Sequence, residues 1–366
     1  MREPFERVAA LLRDAIARRA FPGAAMEVGR AAAPVWQGTA GTLTYDPDAP
    51  AVDRGTVYDL ASLTKVLATT PLAMRAVDAG RLRLDARIAG HFPEWRGADR
   101  EAVTVRDLLS HCSGLTGYLP LFRDYTGRAE FQHAICALPL EYAPGSRAIY
   151  SDLAFMLLGF LLDDVLAPGE PRREPSAGSP PSTTLEAHFT QLASALGAEP
   201  ISFNPPREWR PRTAPTEIDS WRGRLLAAEV HDENTWALGG VAGHAGLFGT
   251  AAAVGAFARA TLETIAGRPV IANPATMREF IARRPVPGSS RALGWDTMLP
   301  TSSCGARLSP TSIGHTGFTG TSLWIDWERD FYVVLLTNRV HPTRENHLIR
   351  QARPALHDAV ADIVNG

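Results

Sequence analysis

Phe5, Val8, Leu12, Ala15 and Ile16 recur at three- and four-residue intervals, the spacing of one face of a helix. The chain is therefore predicted to open on an amphipathic helix. Two short runs, 23–30 and 34–41, flank an alanine-rich turn and read as strands, and 56–60 reads as a third. From Ser62 the pattern turns helical, with Leu63, Val66, Leu67, Leu72 and Met74 apolar. Pro71 is expected to kink or end that helix. Leu82–Ile88 and Val103–Leu109 continue a mostly helical region, and Leu153–Val165 is a further apolar helix. Near the end, Ser322–Asp326 and Phe331–Thr337 read as strands joined by a charged hairpin turn, Trp327–Asp330. His315–Gly317 lies on a strand just upstream, and Arg344–Val364 is the closing helix. Strands at both chain ends with helices between them predict an α+β fold, an α/β sandwich. Its antiparallel sheet comes from residues 1–61 and 285–366, flanked by the N- and C-terminal helices, with a mainly helical domain at 62–284 inserted. Within that domain, 167–184 is rich in Pro, Gly and Ser and reads as a flexible surface insertion.

Composition narrows the function classes. A chain of 366 residues with 45% hydrophobic and 21% charged residues is globular, on a scale of about two domains. Its formal net charge of -2 points to no nucleic-acid or acidic-membrane partner. The apolar run Leu153–Leu162 is too short to span a bilayer. Acids and arginines interrupt the N-terminus throughout, so it lacks the apolar core of a signal peptide and the chain is expected to be cytoplasmic. Cys112, Cys136 and Cys304 are scattered and set up neither a disulfide framework nor paired metal ligands. No H-E-x-x-H accompanies His231 or His244, so no metal is expected. Gly239–Gly249 lacks the strand and helix context of a phosphate loop and reads as close backbone packing, so no cofactor is expected either. The partner left is a small-molecule or peptide substrate.

One count carries chemistry. Of 37 basic residues a single one, Lys65, is lysine, which leaves 36 arginines (37 minus 1). Arginine stays protonated, whereas a desolvated lysine amine can act as a base. Lys65 closes the segment Ser62-Leu63-Thr64-Lys65. Positions i and i+3 share a helix face, so hydroxyl and amine can meet. Ser62 would stand at the helix start, where the macrodipole favours a developing oxyanion. A serine hydroxyl becomes an effective nucleophile only once a base takes its proton.

The segment Tyr58–Lys65 resembles the nucleophile segment of the serine β-lactamase and penicillin-binding protein superfamily. Tyr150-Ser151-Asp152, preceded by Pro144-Gly145-Ser146, resembles the Y-x-N element of its class C branch, and His315-Thr316-Gly317 resembles the K-T-G strand. Val105–Leu115 is another segment typical of that branch. The resemblance implies an acyl-enzyme at Ser62, with Lys65 and Tyr150 sharing the general-base and general-acid duties. It also implies an oxyanion hole from the backbone N–H groups of Ser62 and Phe318, and a strand side lined by His315, Thr316 and Gly317. Two residues depart from the pattern. Asp152 replaces an amide with a carboxylate that can pair with Lys65 and hold it charged. His315 replaces a lysine and offers a switchable proton. Both departures weigh against efficient β-lactamase activity. His231-Asp232-Glu233-Asn234 and Gly240–Gly246 resemble peptidoglycan-active members and imply that His231 and Asn234 lie on the substrate rim. The expected activity is that of an amidase or peptidase on muropeptides. Cleavage of the lactyl-L-alanine amide comes first and D-Ala-D-Ala carboxypeptidase action second. An esterase or weak β-lactamase, and a penicillin sensor without turnover, are the alternatives.

Overall fold

The structure, a computed structural model, describes residues 3–167 and 184–365; the insertion expected at 167–184 falls almost wholly outside them. In chain order, α1 (Glu6–Ala17) leads into β1 (Gly23–Gly29), β2 (Pro34–Gly41) and β3 (Tyr58–Asp59). The helical region holds α2 (Thr70–Asp78), α3 (Val105–Leu109), α4 (Gly127–Ala137), α5 (Asp152–Leu166) and α6 (Thr184–Ala195). Next come β4 (Ile201–Phe203), the hairpin β5 (Ile218–Asp219) and β6 (Arg224–Leu225), α7 (Glu233–Ala237) and β7 (Leu247–Gly249). The chain closes with α8 (Ala251–Ile265), α9 (Pro274–Ile281), β8 (Asp296–Thr297), β9 (Ile313–Thr316), β10 (Ser322–Asp326), β11 (Phe331–Thr337) and α10 (Ile349–Asn365).

The main sheet has six strands in the order β2-β1-β11-β10-β9-β8, all antiparallel. Strand geometry sends alternate side chains to opposite faces, and β11 uses both. Phe331, Val333 and Leu335 pack with Val8 and Leu12 of α1 and Val360 of α10. Tyr332, Val334 and Leu336 join the larger core, which contains Phe257 of α8 and the apolar side chains of α5. Burial on both faces explains why β11 is an unbroken apolar run rather than an alternating one. It also makes a sandwich: terminal helices on one face, α8 and the helical region on the other.

Several local expectations are corrected. Residues 56–60 contribute only β3, which pairs with β7 in a separate three-stranded sheet. Leu82–Ile88 is not helical; a short 3-10 turn, Ile88–Gly90, ends it. Pro71 begins a helix instead of breaking one, because it stands in the first turn of α2, where no N–H is needed. The closing helix starts at Ile349, not Arg344, whose guanidinium is held outside by Glu217 and Glu233.

Candidate active site

The chain leaves β3 and turns sharply at Ala61, a non-glycine residue with φ of 46°. The Asp59 carboxylate makes that turn possible: it accepts from the Ala61 N–H at 2.8 Å and from the His231 N–H at 2.7 Å. Ser62 sits in a 3-10 turn. Lys65–Thr69 follow as a π-turn, in which the Thr70 N–H bonds back to the Lys65 carbonyl. Single π-turns inside helices concentrate at functional sites.

Lys65 is fully buried, and an isolated buried ammonium would be strongly disfavoured. Here Nζ donates to Ser62 Oγ at 3.0 Å, to Asp152 Oδ1 at 2.7 Å and to the His244 carbonyl at 2.9 Å. All three of its protons have acceptors. Burial alone would lower the Lys65 pKa, but the Asp152 and Tyr150 oxygens outweigh it and the net direction is upward. Lys65 is therefore an ammonium in the resting site, not a free amine. The Tyr150 hydroxyl donates to the same Ser62 Oγ at 2.8 Å. Burial, reinforced by Asp152, raises the Tyr150 pKa, so the phenol keeps its proton.

The glycine-rich stretch earns its composition by contact. A Cβ at Gly243 would lie 2.1 Å from the Phe155 carbonyl oxygen, so only glycine lets this segment press on α5 and present the next carbonyl to Lys65. Thr69 Oγ1 donates to the Gly243 carbonyl and fastens the same segment to the π-turn. His244 is anchored by its Nε2, 2.9 Å from Asp232 Oδ1.

Across the cleft, Gly317 lies directly against the nucleophile turn, and a Cβ there would come 2.6 Å from the Leu60 carbonyl oxygen. Residues His315 to Phe318 thus line one cavity of about 330 Å³ with Ser62, Tyr150 and Asp152. His315 is buried, with Nδ1 2.8 Å from the Thr316 carbonyl and Nε2 unpartnered among the described residues. Burial, with Lys65 and Arg291 nearby, holds its pKa well below the ordinary histidine value. That corrects the expected switchable proton: His315 stays neutral. Phe318 is half exposed, and its ring centroid lies 5.6 Å from that of His231 and 4.4 Å from the Arg339 guanidinium.

His231 and Asn234, expected on the rim, are instead buried behind it. His231 Nε2 is 2.9 Å from Glu217 Oε2. Asn234 accepts from the Phe122 N–H and donates to the Leu119 carbonyl, both at 2.9 Å, bracing the 119–122 loop. Sequence reading overlooked the cations of the cleft. Arg291, Arg339, Arg350 and Arg353 all line the cavity. Arg291 lies 5.0 Å from the Tyr150 ring centroid. Among the described residues, Arg339, Arg350 and Arg353 form no ion pair with a carboxylate, and Nε of the buried Arg353 has no partner. The i, i+3 spacing of Arg350 and Arg353 was a usable sign that they share a face; Arg291 had no such sign.

A family model described as Beta-lactamase matches residues 8–357. The chain belongs to the beta-lactamase family. It is a hydrolase of that family, and its mixed antiparallel fold is the β-lactamase/transpeptidase-like one. Among curated proteins it is 31% identical over 324 residues to an Escherichia coli (strain K12) protein named "Putative D-alanyl-D-alanine carboxypeptidase", covering 78% of this chain and 70% of that one. Among solved structures, a class C beta lactamase superposes with a TM-score of 0.75 at 16% identity, covering 98% of both chains. EstCE1, a hydrolase with promiscuous acyltransferase activity, superposes with a TM-score of 0.72 at 22% identity, covering 96% of this chain and 98% of that one.

Proposed function

We propose that the chain is a serine peptidase that forms an acyl-enzyme at Ser62 and removes the terminal residue from peptides ending in a free carboxylate, in the manner of a D-alanyl-D-alanine carboxypeptidase. The observation that carries this reading is the group of arginines lining the Ser62 cavity, three of them without a carboxylate partner among the described residues. Guanidinium groups bind carboxylates bidentately, and a peptide C-terminus supplies one. This ranks carboxypeptidase action above cleavage of the lactyl-L-alanine amide.

The chemistry follows from the contacts. Lys65 cannot act as a resting free base, because it is already protonated. It can relay: as Ser62 Oγ attacks the carbonyl carbon, its proton moves to Nζ while Nζ passes one of its own to Asp152 Oδ1. Lysine stays an ammonium throughout, and the aspartate becomes the acid. Tyr150 gives its phenolic proton to the departing amine as the C–N bond breaks, and the proton held on Asp152 returns to the phenolate through Lys65. The backbone N–H groups of Ser62 and Phe318 receive the oxyanion. Asparagine at 152 could not accept that proton, so the carboxylate there is a functional substitution.

Mass spectrometry after incubation with pentapeptide muropeptides tests the reading. The expected product has lost its terminal alanine alone. Release of the whole stem peptide would favour the lactyl-amide reading. Intact muropeptides beside hydrolysed p-nitrophenyl esters would replace both with an esterase.

A further inference from the structure

Three consecutive residues, 149 to 151, carry Tyr150 into the cleft, and one residue outside that segment, His111, touches each of them through its carbonyl or its ring. His111 stands in the left-handed region, with φ of 59°, an uncommon conformation for a residue with a side chain. Its carbonyl accepts the Ile149 N–H at 3.0 Å, and the Tyr142 hydroxyl at 2.9 Å. Its Nδ1 accepts the Ser151 N–H at 3.0 Å. Its ring lies 4.8 Å from the Tyr150 ring and 5.0 Å from that of Phe155. These contacts lead to the phenol.

We propose that His111 is a positioning residue for Tyr150: it clamps the backbone on both sides of the tyrosine and covers one face of its ring. The role requires a neutral imidazole, since an Nδ1 that accepts from Ser151 cannot carry a proton. Burial and the neighbouring Arg291, Lys65 and His315 keep it neutral, far below the ordinary histidine pKa. With Nδ1 accepting, the ring proton is on Nε2, which has no partner among the described residues. The remaining groups facing the phenol are Ser62, Lys65, Asp152, His315 and the Arg291 guanidinium. None of them touches the backbone of both Ile149 and Ser151 in this way. The left-handed turn is what lets one residue aim its carbonyl at 149 and its ring at 151.

The proposal rests on Tyr150 serving the Ser62 reaction, and two substitutions separate its parts. His111→Asn tolerates the left-handed backbone and keeps an acceptor for Ser151, but uncovers the phenol face. His111→Phe keeps a ring on the phenol and removes the acceptor. Labelling of Ser62 by a serine-reactive phosphonate, followed by intact mass across pH, reads both, with thermal denaturation reporting folding. Displacing a catalytic group by about 1 Å costs on the order of 10²-fold, and that slowing is expected for His111→Phe with the pH profile in place. For His111→Asn, water reaching the phenol lowers a pKa that burial holds up, so the Tyr150-governed limb moves to lower pH. A purely structural histidine would reduce folded protein without moving that limb. Wild-type rates and profiles in both variants would overturn the proposal, as would failure of both to fold, which would make His111 a folding residue only. Wild-type protein that resists the reagent would sink the Ser62 reading instead.

Discussion

On the helical wall of the cleft every proton of the Lys65 ammonium has an acceptor, and those acceptors come from the nucleophile turn, from α5 and from the glycine-rich segment. On the strand wall the pattern reverses. His315 Nε2 and Arg353 Nε are buried without partners among the described residues, and Arg339 is the cation whose charge acts on Arg353. Burial and the neighbouring cation push the Arg353 pKa down to about 10. A closed hydrogen-bond network is rigid and specifies one geometry; buried groups left unpaired are costly until something pairs with them. The Lys65 network is thus closed as it stands, whereas the strand wall leaves buried groups open to a ligand. Damage to the first should appear in the rate of bond making, and damage to the second in the choice of substrate.

The largest effect is expected from Lys65→Arg. A guanidinium cannot relay a proton, so labelling of Ser62 by a serine phosphonate should slow by about 10²–10⁴-fold. The buried site also has little room for the larger head, so some thermal stability is lost as well. Labelling of folded protein at a near wild-type rate would mean that Tyr150 acts without the lysine. Arg291→Ala addresses the opposite wall. Hydrogen bonds to a charged partner are worth about 1.5–3 kcal/mol, which is roughly a 10- to 100-fold rise in KM. The rise is expected for peptides with a free terminal carboxylate and not for an uncharged p-nitrophenyl ester. Equal effects on both substrates would deny the strand wall its role in recognition.

Asp152→Asn sharpens the comparison from within the helical wall. Desolvation pushes the Lys65 pKa down and Asp152 pushes it up. Removing the anion therefore lowers it, and the alkaline limb of the pH–rate profile should move to lower pH. A profile that does not move in a folded variant would contradict the relay. The smallest effect is expected from His357, which belongs to neither wall. It is buried in α10 with Nε2 3.3 Å from Ser322 Oγ, and desolvation with nearby Arg353 depresses its pKa to about 3. Below the ordinary value of about 6.5 the unfolded chain binds more protons than the folded one, so stability falls as the pH drops from there toward 3. The slope for one such group is at most about 1.4 kcal/mol per pH unit. Denaturant midpoints should decline from pH 7 to pH 5, and less steeply in His357→Gln.

What could be read from the sequence follows the range of the interactions involved. Ser62 and Lys65 are neighbours on one turn, so their meeting was visible in the spacing, and the bounds of β10 and β11 were visible in two apolar runs. Tyr150 and His315 were legible through short motifs that travel with their contacts. Arg291 was not, because it reaches the phenol from the segment before β8, where an isolated bridge to Asp296 is the only ladder contact. His231 and Asn234 show the opposite failure: their segment pointed to the right neighbourhood, but a motif carries no depth, and both side chains face inward. Pro71 was misjudged for a similar reason. A proline signals a boundary without saying on which side of it the helix lies, and here the preceding turn is widened into a π-turn.

The engagement of Lys65 bears on how long an acylated site can survive. An ester on Ser62 would sit within bonding reach of the chain's sole lysine amine, and a bare amine there would capture the acyl group as a permanent amide. Asp152 and the His244 carbonyl leave that nitrogen no lone pair to offer. In the proposed reaction the same contacts that tune a proton transfer thus guard against self-inactivation, so that water, and not the enzyme's own nitrogen, ends the cycle.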